Sequence, residues 1–377
     1  MNRRRWLQHA GLASAATSAG LFTPGWAAAS PSPAAGLAVV QCVDLSAAQQ
    51  DVSRDFLIGS RAAWQDINLR GGLRGRRIEH RVLETDGSPA SLHAALGSVV
   101  NDPSCVALSG CVGDPLARQL LALSQAGRLT MVQAAPWLQN ASLAIDDKTF
   151  PIFAAYQEQI THACKSLSGM GMSTLGAVYA SPALHGAWHA EVERIAASLQ
   201  LRLQTFQSTG DLRALGAALT AQSPAMLLFV GGTPELAQFA QGLQKQARQR
   251  YLVALADVNL NTLMQMGTAR STPVIATQPV PPVNASLPVV RRYRETLAQL
   301  FDEAPSPLGL AGFIAARYTF EVLSTVEGTV TRQSALNAFQ KRTELDVGGF
   351  RVSFNAQRRS AGYVTQSMMT PDGRQIG

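Results

Sequence analysis

After residue 30 no apolar run reaches the roughly 18 residues that a membrane span needs, because charge, glycine or proline interrupts each one first, so no spanning helix is expected there. Charge is also scarce: Asp, Glu, Lys and Arg make up 15% of the 377 residues against 46% hydrophobic ones, which excludes a disordered or acidic solvating chain. A strong field of one sign is missing too. The formal net charge is +7, but Arg3, Arg4 and Arg5 lie in a segment expected to be removed, and that segment carries no acid. Their loss leaves a mature chain of about +4, which gives no case for a nucleic-acid partner. Neither a Gly-x-Ser-x-Gly elbow nor a His-Glu-x-x-His pair occurs, so an enzyme reading lacks a nucleophile with visible partners; no activity and no cofactor are expected. Gly71, Gly72 and Gly75 follow a helical pattern, so they mark a helix stop and not a dinucleotide loop. Only four cysteines are present, and Cys42 follows Val-Val-Gln, which is no lipoprotein processing site.

The N-terminus has a definite pattern. Arg3-Arg4-Arg5-Trp6-Leu7 precedes a weakly apolar stretch from Ala10 to Phe22 and then Ala27-Ala28-Ala29, the n-region, h-region and cleavage site of a signal peptide over residues 1–29. The Arg-Arg-x-aromatic-Leu run resembles a twin-arginine export motif, with Trp6 where Phe is usual and Gln8 where Lys is frequent. The alternative is an arginine-rich Sec signal. Both lead out of the cytoplasm, and a soluble periplasmic protein is expected. Residues 30–36 read as a linker.

A length of 377 residues exceeds what one core usually serves, so two lobes are expected. From Leu37 short β-rich runs alternate with longer amphipathic ones, the signature of parallel α/β lobes. Strands are expected at Leu37–Val43, Ile78–Leu83, Val106–Gly110 and Leu129–Gln133, with helices at Asp55–Leu69, Ser88–Asn101 and Pro115–Ala126. The rhythm restarts with a helix at Thr161–Gly169 and runs to a strand at Tyr251–Ala256, with a helix at Leu212–Gln222 on the way. Two helical segments follow, Leu287–Phe301 and Leu308–Glu327, and then the runs Gly349–Phe354 and Tyr363–Met369, read as a small hairpin.

The run Ala62-Ala63-Trp64-Gln65-Asp66-Ile67-Asn68, then Gly71-Gly72-Leu73-Arg74-Gly75-Arg76-Arg77-Ile78 and Glu84-Thr85-Asp86, resembles the type I periplasmic solute-binding proteins of the branched-chain amino acid (Leu/Ile/Val-binding) ABC transporter family. Ser109-Gly110, Gly231-Gly232-Thr233-Pro234-Glu235, and Gly349 to Phe354 followed by Asp372-Gly373 extend the likeness over nearly all the mature chain. The resemblance implies an α/β fold of two flavodoxin-like doubly wound lobes joined by a three-strand hinge, with a ligand between them. Crossovers are placed near Phe150, Gln278 and Thr343, giving a first lobe of residues 37–150 and 279–343 and a second of 151–278 and 344–377.

In a doubly wound sheet the loops at the carboxyl edge form the site. The candidates are Ser46, Val112, Asp114, Pro115, Ala134, Ala135 and Trp137 in the first lobe, and His185, Gly232, Thr233 and Asp257 in the second. The resembled family usually has a Ser after Gly-x-x-Gly to meet a ligand's α-carboxylate, and a later hydroxyl after an Ala pair. Here those slots hold Asp114 and Pro136-Trp137. Asp114 is read either as a cleft carboxylate, which would disfavour a free amino acid, or as the N-cap of a helix starting at Pro115. Cys42 and Cys111 fall near the ends of neighbouring strands, so they read either as a disulfide or as two of four buried thiols. His185, His189 and Glu193 would share one helix face, where a metal could sit, but polar residues at an exposed helix start need none, and no metal ligand is assigned.

The implied function is a periplasmic receptor that captures an amino acid, amide or amine-like solute by hinge closure and docks on an inner-membrane ABC permease. A monomer is expected. The alternatives are a sensory binding protein that signals to a receptor, and a periplasmic metal binder.

Overall fold

The computed structural model describes residues 36–377 apart from 245, 247, 268–271, 361, 370–374 and 377; the expected signal peptide and the linker before Gly36 lie outside the described residues. The first lobe opens with β1 (Leu37–Asp44), α1 (Gln50–Leu69), β2 (Ile78–Thr85), α2 (Pro89–Gly97), β3 (Cys105–Ser109), α3 (Asp114–Gln125), β4 (Val132–Ala134) and β5 (Thr149–Phe150). Its strands are parallel in the order β2-β1-β3-β4-β5. Every residue of β1 and β3 is buried, as expected of central strands covered by helices on both faces.

The second lobe has α4 (Tyr156–Gly169), β6 (Thr174–Tyr179), α5 (Pro182–Ser198), β7 (Arg202–Gln207), α6 (Leu212–Ala217), β8 (Met226–Val230), α7 (Thr233–Leu243), β9 (Tyr251–Ala254), α8 (Leu260–Gln265) and β10 (Val274–Gln278). Then come α9 (Pro288–Leu300), α10 (Pro307–Ser324), α11 (Arg332–Gln340), β11 (Leu345–Val347), β12 (Phe350–Val352), β13 (Thr365–Met369) and β14 (Gln375–Ile376). The second sheet runs β14-β13-β10-β9-β8-β6-β7, with β13 antiparallel to β10. Both lobes are therefore doubly wound α/β sheets of the type the resemblance implied. No helix among the described residues is long and apolar enough to cross a membrane.

Helix α1 shows how local sequence places the site. Val52, Phe56, Ala63, Trp64 and Ile67 recur at helical spacing and are buried. The helix stops where Gly71 and Gly72 adopt left-handed φ of 102° and 61°, with Gly72 N bonded to Ile67 O at 2.9 Å and Gly71 N to Asn68 O at 3.2 Å, the paired bonds of a Schellman end. It crosses α10 at glycine. A Cβ on Gly59 would stand 1.7 Å from Gly309 O, and one on Gly312 would stand 1.9 Å from Phe56 O, so the two backbones touch only because both positions lack a side chain.

The C-terminal hairpin differs from the expected one. Val347-Gly348-Gly349-Phe350 is a two-residue turn with φ of 60° and 93°, so β12 pairs with β11, while the run ending at Met369 pairs with β10. Val347, Phe350 and Val352 pack in the first-lobe core with Phe150 and Phe339. The return to the second sheet accordingly follows the hairpin, between β12 and β13, beyond the crossover expected near Thr343. Helix α6 is also shorter than the span to Gln222, because Thr220 and Ser223 close a turn on each other.

Candidate functional site

On the first lobe, Asp44 is buried at the end of β1, and its Oδ1 accepts the Ser46 amide at 2.9 Å, turning the chain into α1. The loop after β3 is held to β1 by Val112 N on Cys42 O at 3.0 Å, which leaves Val112 wholly buried. Helix α3 begins at Asp114, one residue before the expected start, with Gly113 at its cap and no side-chain cap bond, so Asp114 is not the N-cap. Its carboxylate has other partners: Oδ1 accepts Gln139 N at 2.7 Å, and Oδ2 faces Arg118 Nε at 3.1 Å. Burial pushes the Asp114 carboxyl up, and Arg118, the Gln139 amide and Arg359 oppose that shift. Pro115 is half-buried in the first turn of α3.

Ala134 and Ala135 are buried, and Ala135 has a φ of 50°. That left-handed step turns the chain so that Trp137 N bonds to Cys111 O at 2.9 Å and the indole lies between Phe56 and Phe153, each with its ring centroid 5.5 Å away. From there Trp137 Nε1 reaches across to the second lobe and donates to Asp257 Oδ1 at 2.7 Å. Tyr156, at the start of α4, donates its hydroxyl to Asp257 Oδ2 at 2.9 Å. Asp257 is thus enclosed and bonded on both oxygens. Burial pushes its carboxyl up to about 6, the donors from Trp137 and Tyr156 pull it back, and the Asp114 charge adds to the rise.

The lobes meet at a second place. Gly232 caps α7, and the position a Cβ would take on it lies 3.7 Å from Ala48 O of the first lobe. Thr233 Oγ1 accepts Asn259 N at 2.9 Å, Asn259 Oδ1 caps α8, and Asn259 Nδ2 reaches Asp51 O of α1 at 3.4 Å. Beside this contact lies a cavity of about 610 Å³ with walls from both lobes: Asp51, Asp55 and Ile58 on α1, Asn259 and Thr262 on the second lobe, and Glu303 and Ser306 before α10. Asp55 hydrogen-bonds to Ser306 and Asn259, and burial raises its carboxyl. Arg54 pairs with Glu303 at 3.7 Å in an exposed position, so the cavity keeps the charge of two carboxylates, Asp51 and Asp55.

The structure therefore brings Trp137 and Asp257 into direct contact and sets Ser46's loop opposite Gly232. It does not bring His185 to them. His185 stacks on His189 at 4.5 Å, with the edge of the buried Tyr179 against both rings, and no group of three or more His, Cys, Asp or Glu among the described residues could hold a metal. Cys42, Cys105, Cys111 and Cys164 are all buried, and none is bridged in this structure. Sequence reasoning missed Tyr156, Asp55 and Ser306. Asp51 and Asp55 do stand one turn apart in the sequence, a carboxylate stripe on α1 that could have been noticed.

Among known proteins, the family described as periplasmic binding protein matches residues 37–370. A search of the curated proteins finds no match. Solved structures similar to this fold include an extracellular ligand-binding receptor from Verminephrobacter eiseniae (19% identity, TM-score 0.82, covering 91% of this chain and 100% of that one). A substrate-binding periplasmic protein from Ralstonia solanacearum aligns with 23% identity and a TM-score of 0.79, over 90% of this chain and 99% of that one. The branched-chain amino acid transporter substrate-binding protein LivJ from Streptococcus pneumoniae, in complex with isoleucine, aligns with 14% identity and a TM-score of 0.74, over 91% and 98%. With a family match spanning nearly the whole described region and the two-lobed fold above, this chain belongs to the periplasmic binding protein family, whose members are solute-binding receptors.

Proposed function

We propose that the protein is the periplasmic receptor of an ABC importer, that it takes an amine- or amide-bearing solute between its lobes, and that the closed form docks on the permease. The observation that carries this reading is the 610 Å³ cavity walled by both lobes, where Asp51 and Asp55 stand beside the Arg54–Glu303 pair and leave an excess of negative charge that a hydrogen-bond donor or a cation would offset. Its size suits a small ligand. Its position between α1 and Asn259 lets the ligand join the lobes, which is what hinge closure requires. Asp257 makes no such demand: its oxygens are already occupied by Trp137 and Tyr156, so a ligand in the central cleft would have to displace the indole.

A thermal-shift screen of amines, amides, amino acids and simple carboxylates on the mature protein tests this. A ligand that binds only the native state at 100 times its Kd adds about 2.7 kcal/mol, a rise of several degrees. Stabilisation by an amine or amide, reduced by Asp55→Asn, is expected. Stabilisation by carboxylates alone would overturn the ligand class.

A further inference from the structure

Cys42 and Cys111 are brought together by the backbone itself. Val43 and Val112 form a parallel bridge, Val112 N bonds to Cys42 O at 3.0 Å, and Cys42 N donates to Cys111 Sγ at 3.4 Å. The two thiols hydrogen-bond each other, and that bond together with burial pushes the Cys42 thiol up. Neither other cysteine competes. Cys105 is in register with Ala38, four residues back along β1 and so about 13 Å away at the strand rise. Cys164 lies in the second-lobe core with Trp188 and Leu228.

We propose that in the exported protein Cys42 and Cys111 are joined by a disulfide. The oxidant is the reactive disulfide of an exported thiol oxidase. One deprotonated thiol attacks it, forming a mixed disulfide and expelling one oxidase thiolate; the second thiolate then attacks the mixed disulfide at the substrate sulfur. The pair loses two protons and two electrons, and the oxidase leaves as a dithiol. Both sulfurs are sealed from solvent in the folded lobe, at 0% and 1% residue exposure, so the oxidase reaches them outside the cytoplasm only while that lobe is unfolded or transiently open.

The bond would fasten to β1 the turn on which the interlobe contact hangs. Cys111 O holds the Trp137 amide, the Trp137 indole holds Asp257, and Gly113, with φ of 104°, leads from the same turn into α3. A disulfide there stiffens the rim of the first lobe where it meets the second.

The inference rests on the export reading, and the test separates the two. The full chain with its own N-terminal segment is expressed, cells are fractionated, and the protein is unfolded in the presence of N-ethylmaleimide so that buried thiols are trapped as they become exposed. Periplasmic protein that takes up two labels, on Cys105 and Cys164, weighs two hydrogen atoms less than the reduced chain plus those labels, and yields a non-reduced peptide linking Cys42 to Cys111 is the expected result. Periplasmic protein with all four cysteines labelled overturns the disulfide and leaves the export reading standing. Protein confined to the cytoplasm overturns both.

Discussion

Replacing Asp257 by Asn isolates the interlobe contact from the other titrating groups of the protein. The buried carboxyl titrates at about 6, against about 3.9 for an unfolded Asp, so between those values the folded state holds a proton that the unfolded state has lost. An acid with a raised folded pKa stabilises fully below the unfolded value, and that stability is lost as pH rises through the folded one. Two pKa units at 1.36 kcal/mol each make the difference roughly 3 kcal/mol. Asn keeps the shape and an oxygen for Trp137 Nε1, but it does not titrate. Urea unfolding of both proteins from pH 4 to pH 7.5 should therefore show the variant gaining about 3 kcal/mol on the wild type as pH rises, mostly between pH 4 and 6. Carboxylates held down by arginine, such as Asp66 beside Arg292, cancel in this comparison because both proteins carry them. Parallel stability curves across that range would refute the enclosed Asp257.

Gly312→Ala should cost about 1–3 kcal/mol or more, because its Cβ would fall 1.9 Å from Phe56 O, whereas Gly186→Ala, with open space around it on α5, should be neutral or gain up to about 1 kcal/mol; thermal melts compare them. Trp137→Phe keeps the ring contacts with Phe56 and Phe153 but leaves Asp257 Oδ1 without its donor, a loss of about 1.5–3 kcal/mol by urea unfolding at pH 7.5, where the acid is charged. Replacing Arg3, Arg4 and Arg5 by Lys keeps the N-terminal charge while removing what a twin-arginine receptor reads, so precursor should accumulate in the cytoplasm. Normal processing of that variant would assign the segment to Sec.

The lobes were legible because their central strands are short apolar runs between amphipathic helices, and the Gly71-Gly72 stop marks the end of α1 to the residue. The terminal hairpin is not legible in the sequence because β11 has only three residues, too few to show a period, so the run after the Gly348-Gly349 turn reads as a first strand and not as the second. Helix α11 passed unnoticed since its buried positions are few: Ala335, Ala338 and Phe339. The site was legible as loops and not as contacts. Topology put Trp137 and Asp257 at facing edges, but their hydrogen bond depends on the left-handed Ala135, which no residue preference announces. The same limit applies to Asp55, whose partners Ser306 and Asn259 come from parts of the chain about 250 and 200 residues away, a meeting only the folded lobes display.

Isothermal titration of the mature protein with the best amine or amide from the thermal screen, run on wild type and Asp55→Asn, addresses the ligand-capture reading most directly. A receptor that uses the α1 cavity should bind one ligand per chain and lose roughly ten- to a hundredfold in affinity when the Asp55 charge is removed, the equivalent of one hydrogen bond to a charged group. Equal affinity in the two proteins, or tight binding of a ligand whose only polar group is a carboxylate, would contradict it.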